Sequence, residues 1–196
     1  MELSFETLIN SYIETKVGIA ENFLSSALAS HLKKNLLEIH QQKKMHHAGT
    51  GNTNNVTHNS NTRGDSIYWL DRKHNDIYEN EFLDQIDRFI LYLNMNCYTG
   101  IKDYEFHYTI YEKGAFYKKH IDQFQNNSNR AFSIVSYLNT DWKESDGGEL
   151  CIHHTENEQH ISPTNCKTVF FKSNEIEHEV LPTNTDRLSI TGWLKT

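Results

Sequence analysis

Apolar residues recur at helical spacing in the first hundred positions of the chain. Residues 3–16 predict a first helix, because their apolar positions lie three or four residues apart. A second helix is predicted to start after a cap at Asn22 or Ser25 and to end near Gln42. A third, over 79–96, carries one apolar stripe that is most simply interpreted as core packing.

From residue 104 onward the pattern is that of short strands. Predicted strands cover 17–20, 66–70, 104–112, 116–121, 130–138, 149–153, 168–172, 177–181 and 187–195. Turn-forming Gly, Pro, Asn and Asp residues separate most of them. Helices followed by many short strands indicate an α+β chain whose β part is a sandwich or jelly roll. We expect a single domain, with helical support and a mobile loop in 1–103 and the β core in 104–196.

Residues 43–65 break both patterns. This stretch is rich in Asn, Gly, Thr and Ser and has almost no apolar residue, so it cannot order itself by burying surface. A loop of this length inside one domain is usually functional or disordered, and an active-site lid and an inert excursion both fit. His46, His47 and His58 match no metal-ligand spacing, and we interpret them as loop residues.

Composition narrows the class of protein. The 196 residues are 37% hydrophobic and carry a net charge of −7, which argues against a general nucleic-acid binder. No run of about 18 apolar residues predicts a membrane span, and the N-terminus lacks the pattern of a signal peptide. Cys97, Cys151 and Cys166 form no CxxC pair, so reduced thiols and a cytoplasmic location are expected, with a Cys151–Cys166 disulfide as the less favoured alternative. We expect a monomer without membrane or nucleic-acid partners.

A possible metal site is formed by three residues. His120 and Asp122 are two positions apart in a segment predicted to be extended, so both side chains should point to one face. His178, from a distant strand, would complete a two-His-one-carboxylate set, the arrangement of non-haem Fe(II) oxygenases. The ligands alone also suit catalytic zinc. Any one of these residues taken singly is better explained as a surface or core residue.

Arg187 begins the last predicted strand and shares a face with Ser189 and Thr191. A guanidinium on a half-buried strand needs a partner, and a bound carboxylate would accept both arms of its planar fork. The alternative is a structural salt bridge to Asp186 or Glu179.

Five segments occur in an order typical of one enzyme family. They are RGDSIYWL at 63–70, YEKGAFYKKHID at 111–122, SYLNTDW at 136–142, GGEL at 147–150, and HEVLP at 178–182 followed by Arg187 and TGW at 191–193. Together they resemble the 2-oxoglutarate- and Fe(II)-dependent prolyl hydroxylases, most closely the hypoxia-inducible-factor type and its bacterial relatives. The likeness runs from about residue 17 to 196 and is strongest from 104 onward. Arg187 points to that subgroup, because the collagen-type enzymes usually carry Lys near this position.

The resemblance implies a double-stranded β-helix (jelly roll) core with supporting N-terminal helices, as one oxygenase domain over 1–196. It implies that His120, Asp122 and His178 hold Fe(II). It also implies that Arg187, helped by the Tyr137 hydroxyl, binds the distal carboxylate of 2-oxoglutarate. The remaining pocket residues implied by the family are Tyr111, Tyr117, Thr191 and Trp193, with Arg130 near the site entrance.

The reaction that the resemblance implies is hydroxylation of a prolyl residue in a protein, with O2 consumed and succinate and CO2 released. Ascorbate would be a supporting reductant. Asp122 favours hydroxylation, because related halogenases lack this carboxylate. The 43–65 loop falls where the subgroup closes over its protein substrate. Two other hypotheses remain open: an oxygenase acting on a free amino acid or other small molecule, and a non-catalytic jelly-roll metal-binding module.

Overall fold

The computed structural model describes residues 2–49, 61–123 and 129–196, and these contain three α-helices and eleven strands. The helices are α1 (Glu2–Thr15), α2 (Ser26–Gln41) and α3 (Ile77–Cys97). The strands are β1 (Val17–Ala20), β2 (His46–His47), β3 (Asp65–Trp69), β4 (Asp103–Tyr111), β5 (Tyr117–His120), β6 (Arg130–Tyr137), β7 (Leu150–His153), β8 (Glu158–Ile161), β9 (Thr168–Lys172), β10 (Glu177–Val180) and β11 (Arg187–Lys195).

The strands form two antiparallel sheets. The major sheet has the order β1-β9-β6-β11-β4-β3-β2, and the minor sheet has the order β5-β10-β7-β8. In the minor sheet, β10 pairs with β5 on one side and with β7 on the other. The two sheets form the expected jelly roll. Most of the predicted site residues lie on the inner faces of the sheets, which face each other.

The two sides of the major sheet bury different sets of residues. Phe170 packs with the three helices, whereas its neighbour Phe171 packs with residues of the minor sheet. On β11, Leu188 and Ile190 also face the helices, as their alternation with Arg187 predicted. The helices therefore cover the outer side of the major sheet, and the opposite side is left to line the space between the sheets.

Local sequence explains where key elements begin and turn. Ser25 caps α2 by accepting a hydrogen bond from the Leu28 amide at 3.1 Å, and Asp76 caps α3. Gly148 follows the turn before β7 with φ of +72°, and a Cβ there would lie 3.0 Å from the Cδ of Arg187. This glycine therefore makes room for the Arg187 side chain beside the backbone.

Three strands have the bounds that the sequence predicted: 17–20, 168–172 and 187–195. Each of the other predicted strands differs from the observed strand by one residue at one end or at both ends. Two strands were missed. β8 has a single apolar residue in Glu158-Gln159-His160-Ile161, and β2 lies in the polar stretch. The interpretation of His46 and His47 as loop residues was wrong, because their backbone pairs with Ser66 and Ile67 of β3. Residues 50–60, including His58, lie outside the described residues.

Two further expectations can be compared with the structure. Cys97, Cys151 and Cys166 are free thiols, so the alternative Cys151–Cys166 disulfide is not present. Cys151 lies on β7 of the minor sheet, whereas Cys166 lies two residues before β9 of the major sheet. No helix among the described residues is long and apolar enough to span a bilayer.

Candidate active site

A cavity of about 730 Å³ lies between the two sheets. All but one of the site residues expected from the sequence line it: Tyr111, Tyr117, His120, Asp122, Arg130, His178, Arg187, Thr191 and Trp193. The exception is Tyr137, which is fully buried behind the cavity wall with its ring 5.0 Å from the Arg187 guanidinium carbon. Residues as far apart in sequence as Tyr111 and Trp193 are therefore gathered around one space.

The three candidate metal ligands lie at one point of this cavity. His120 on β5 pairs directly with His178 on β10, which places both imidazoles on the same face of the minor sheet. Nε2 of His120 lies 3.5 Å from Oδ1 of Asp122, and Nε2 of His178 lies 3.6 Å from Oδ2. The ligand atoms of the three residues all lie within 4.8 Å of one another, a spacing that suits a single ion.

Backbone carbonyls orient both imidazoles. Nδ1 of His120 lies 2.7 Å from the carbonyl oxygen of Lys118, and Nδ1 of His178 lies 3.1 Å from that of Ile176. When Nδ1 carries the proton and donates it to the carbonyl, Nε2 presents its lone pair to the metal. Burial also lowers the pKa of His178 to about 4, which favours the neutral form that binds a metal.

The sequence had suggested that Asp122 lies in the same extended segment as His120. In the structure β5 ends at His120, so Asp122 lies outside the strand. The Ser133 hydroxyl of β6 holds its carboxylate instead, donating to Oδ2 at 2.6 Å, and Ser173 supports Ser133 from 2.9 Å. Burial alone would raise the pKa of Asp122, but His178, His120 and Ser133 outweigh it and hold this pKa far below its usual range. The carboxylate is therefore ionised and fixed.

Arg187 has no carboxylate partner within salt-bridge distance among the described residues. The alternative of a salt bridge to Asp186 or Glu179 was therefore wrong, and Glu179 pairs with His153 instead. Arg187 is 3% exposed, and its Nε donates to the carbonyl of Gly148 at 2.7 Å. A buried cation without a counter-charge is costly, so this geometry is suited to a bound anion.

Two buried hydroxyls beside Arg187 also lack partners. Among the described residues, neither the Tyr137 hydroxyl nor the Ser189 hydroxyl has a hydrogen-bond partner of good geometry. Burial raises the pKa of Tyr137, so its hydroxyl remains a donor at neutral pH. Arg187 lines the cavity and the two unpaired hydroxyls lie beside it, an arrangement that fits the distal carboxylate of 2-oxoglutarate. The His-Asp-His donor set fits Fe(II).

Aromatic residues and one arginine border the metal ligands. The Tyr117 ring stacks on His120 with a centroid distance of 3.6 Å. Arg130 lies over the Trp193 ring at 3.4 Å, donates to Glu105 through two nitrogens, and reaches the Asp122 carbonyl at 3.3 Å. Trp193 is thereby fixed beside the ligand-bearing segment.

His107 is a site residue that the sequence reasoning missed. It lies on β4 with 3% exposure, lines the cavity, and packs its ring 5.0 Å from Trp69 and 5.5 Å from Trp193. Burial lowers its pKa to about 4. The signal was available, because period-two alternation from Tyr111 places Thr109 and His107 on the same face of the strand.

A buried ion pair attaches the end of the polar stretch to the metal-bearing strand. Arg63 donates to both oxygens of Asp65 at 2.7 and 2.6 Å, and its guanidinium lies 4.2 Å from the Tyr117 ring centroid. The neighbouring backbone follows β5, since the Lys118 amide donates to the carbonyl of Thr62 at 2.9 Å. The position of this segment is therefore linked to that of His120.

Comparisons with known proteins agree with this geometry. The model of the 2OG-Fe(II) oxygenase superfamily matches residues 106–195. A prolyl 4-hydroxylase from Pseudomonas putida superposes with a TM-score of 0.87 at 29% identity, over 97% of this chain and 98% of that one. A Trichoplax adhaerens prolyl hydroxylase, solved with a peptide of the hypoxia-inducible-factor oxygen degradation domain, gives 0.86 at 25% identity, over 99% and 90%.

A more distant relative shares the fold. The collagen prolyl hydroxylase of Paramecium bursaria Chlorella virus-1, solved with 2-oxoglutarate, superposes with a TM-score of 0.63 at 18% identity, over 93% of this chain and 97% of that one. The matched segment of the family model contains the three metal-ligand candidates and Arg187. The family model and these prolyl hydroxylase structures support a 2-oxoglutarate- and Fe(II)-dependent dioxygenase of the prolyl 4-hydroxylase type, for which Fe(II), 2-oxoglutarate and O2 are the cofactor and cosubstrates.

Proposed function

We propose that this dioxygenase hydroxylates a prolyl residue within a protein or peptide, with release of succinate and CO2. The observation that carries the proposal is the exposed apolar surface along the cavity. Trp69 and Ile121 line the cavity and are 40% and 41% exposed, and Ile121 directly precedes Asp122. The relative from Trichoplax adhaerens, which binds a peptide, supports the same class of substrate.

In this proposal, His120, Asp122 and His178 would hold the iron, because two histidines and one carboxylate are the ligands of non-haem Fe(II) oxygenases. Asp122 contributes the negative charge, and the two histidines bind through Nε2 because their Nδ1 atoms face carbonyls. Ser133 holds the carboxylate at the correct angle. Fe(II) and 2-oxoglutarate, when bound, activate O2 and supply the oxidation that places a hydroxyl on the substrate.

Arg187 is proposed to pair with the distal carboxylate of 2-oxoglutarate, and the Tyr137 hydroxyl donates a further hydrogen bond. Both groups are buried, so water does not compete with the cosubstrate for them. Thr191 on β11 and Tyr111 on β4 border this end of the cavity. Tyr117 and Trp193 border the region around the iron ligands, with Arg130 stacked on Trp193.

The test is incubation of the protein with Fe(II), 2-oxoglutarate, ascorbate and a library of proline-containing peptides. We expect a mass gain of one oxygen atom on proline in some peptides, matched by an equal amount of succinate. Asp122→Ala should abolish both signals, whereas Cys97→Ser, at an exposed thiol outside the site, should retain them. Succinate formation without any peptide product would argue against a protein substrate.

Deletion of residues 49–61 separates the proposal from a small-molecule oxygenase. If the substrate is a peptide, the deletion should impair peptide hydroxylation while 2-oxoglutarate still binds. If free amino acids are the substrate, their oxidation should survive it. A non-catalytic metal-binding module would give neither product, and Arg187→Ala would leave its ligand binding unchanged.

A further inference from the structure

The outer face of the minor sheet, which points away from the cavity, carries a second group of metal-binding side chains. His178 faces the cavity, so the next residue on β10, Glu179, faces outward. Glu179 pairs with Cys151 of β7, and Cys151 pairs with His160 of β8. Residues directly opposite each other share a face, and Glu158 lies two residues before His160 on β8. The thiol of Cys151, the imidazole of His160 and the carboxylate of Glu158 therefore lie together on the outside, beside Glu179.

The distances between these groups suit a single ion. Sγ of Cys151 lies 3.9 Å from Nε2 of His160, and the same nitrogen lies 3.7 Å from Oε2 of Glu158. The ligand atoms of the three residues lie within 4.8 Å of one another. In a tetrahedral zinc site, ligand atoms are about 3.5 Å apart, as follows from bonds of roughly 2.0 to 2.3 Å. Side-chain movements on the order of an ångström would bring all three ligand atoms to this spacing.

Neighbouring groups orient these ligands from behind. Nδ1 of His160 lies 3.3 Å from Oε2 of Glu149. Oε1 of Glu158 lies 3.2 Å from Nδ1 of His153, whose Nε2 contacts Glu179 at 2.9 Å. Metal-bound imidazoles commonly donate their second N–H to a carboxylate, which fixes the ring and the tautomer. Here Glu149 can accept the Nδ1–H of His160, which leaves Nε2 of His160 directed toward Cys151 and Glu158.

The thiol is the buried member of the group. Cys151 is 1% exposed, whereas the side chains of His160 and Glu158 are 45% and 58% exposed. Burial, followed by the charges of Glu158, Glu179 and Glu149, raises the pKa of Cys151 to about 11. The same negative charges attract a cation, which would displace the thiol proton on binding and leave a thiolate–metal bond.

We propose that Cys151, Glu158 and His160 form a second metal site, which takes a divalent ion of the Zn²⁺ type with water as its fourth ligand. A thiolate, an imidazole and a carboxylate favour such an ion over Mg²⁺ or Ca²⁺, which prefer oxygen ligands. The ion would bridge β7 and β8 on the outer face of the minor sheet, whose inner face carries His178. The site is independent of the proposed prolyl hydroxylation, because it shares no ligand with the candidate iron site.

Co(II) titration of the oxygen-free full-length protein tests the proposal, because a cobalt–thiolate bond gives a charge-transfer band in the near ultraviolet. We expect two equivalents of Co(II) per chain, of which one produces this band. Cys151→Ser should remove the band and one equivalent, and the matched Cys97→Ser control should keep both. Asp122→Ala should remove the other equivalent and leave the band, which separates failure of this site from failure of the iron site.

Cys151 is buried, so its substitution could also affect folding, whereas His160 and Glu158 are exposed and can be replaced without disturbing the core. His160→Gln and Glu158→Gln should each weaken the band-producing site at least about 10-fold, while the thermal melting temperature of the metal-free protein changes little. Glu149→Gln should weaken it by about 10- to 100-fold through His160. Binding of one equivalent without a band, or a band that persists in Cys151→Ser, would overturn the proposal and leave a metal-free network of His–Glu ion pairs.

Discussion

His120 on β5 lies directly opposite His178 on β10, and the centroids of their imidazole rings are 4.3 Å apart. The hydrogen bonding of two short strands thus brings together two residues that are far apart in sequence. Asp122 joins them from outside the strand, held by Ser133 of the other sheet. The site therefore depends on packing of the two sheets as well as on pairing within one of them.

Ser133→Ala should weaken Fe(II) binding by about 10- to 100-fold, because Asp122 loses the hydroxyl that fixes its Oδ2. The measurement is the apparent Kd for Fe(II) from an anaerobic titration. Ser136→Ala is the matched control, since Ser136 is equally buried on the same strand but contacts Thr168. Equal Fe(II) affinities of the two variants would contradict the role given to Ser133.

Tyr137→Phe should raise the KM for 2-oxoglutarate roughly 10-fold or more, because a hydrogen bond to a charged group contributes about 1.5–3 kcal/mol. The free energy of unfolding should change little, since this buried hydroxyl has no well-placed partner among the described residues. Tyr108→Phe is the control, because Tyr108 is also fully buried but faces the helices. An unchanged KM in Tyr137→Phe would place the distal carboxylate elsewhere.

Asp65→Asn should lower the free energy of unfolding by about 3–5 kcal/mol, because it leaves the buried Arg63 cation without its partner. Urea unfolding measures the effect. Asp87→Asn is the control, because it removes the partner of an exposed ion pair: the Arg72 and Asp87 side chains are 42% and 52% exposed. It should lower the free energy of unfolding by at most about 1 kcal/mol. Similar losses in the two variants would show that Arg63–Asp65 does not anchor its segment.

His107→Asn should reduce the loss of stability at acid pH. Because burial lowers the folded-state pKa of His107 from 6.5 to about 4, only the unfolded chain takes up its proton between these values. The contribution of His107 is therefore fully present above pH 6.5 and declines as pH falls toward 4, by about 1.4 kcal/mol per pH unit.

Urea unfolding of wild type and His107→Asn at pH 6.5 and 4.5 checks this sign. The wild type should lose about 2–3 kcal/mol more than the variant between the two pH values. Parallel losses in the two proteins would mean that His107 takes up its proton equally in the folded and unfolded states, so that folding does not lower its pKa.

Strongly patterned strands were predictable from sequence, and weakly patterned ones were not. β9 and β11 have the predicted bounds because Thr168–Lys172 and Arg187–Lys195 are rich in apolar and β-branched residues. β8 gave no such signal, since its outward residues are Glu158 and His160 and only Ile161 is apolar. The pairing of β8 with β7, rather than its own propensity, makes it a strand.

The parts of the site that lie in sequence motifs were predictable. The contacts that form only when the two sheets pack together were not. Spacing and resemblance predicted that His120, Asp122, His178 and Arg187 would lie around one space, as they do. The support of Asp122 by Ser133 crosses from one sheet to the other, and no spacing along the chain indicates it. The alternative salt bridge from Arg187 to Glu179 is absent because Glu179, although close in sequence, faces away from the cavity on the outer side of the minor sheet.

The central claim is that His120, Asp122 and His178 hold the metal while Arg187 and Tyr137 hold 2-oxoglutarate. A crystal structure of the Fe(II)-loaded protein with 2-oxoglutarate, determined without oxygen, tests it most directly. It should show the metal bound by Nε2 of both histidines and a carboxylate oxygen of Asp122, with the distal carboxylate of 2-oxoglutarate on Arg187 and the Tyr137 hydroxyl. Metal bound away from these three residues, or a distal carboxylate that contacts neither Arg187 nor Tyr137, would contradict it.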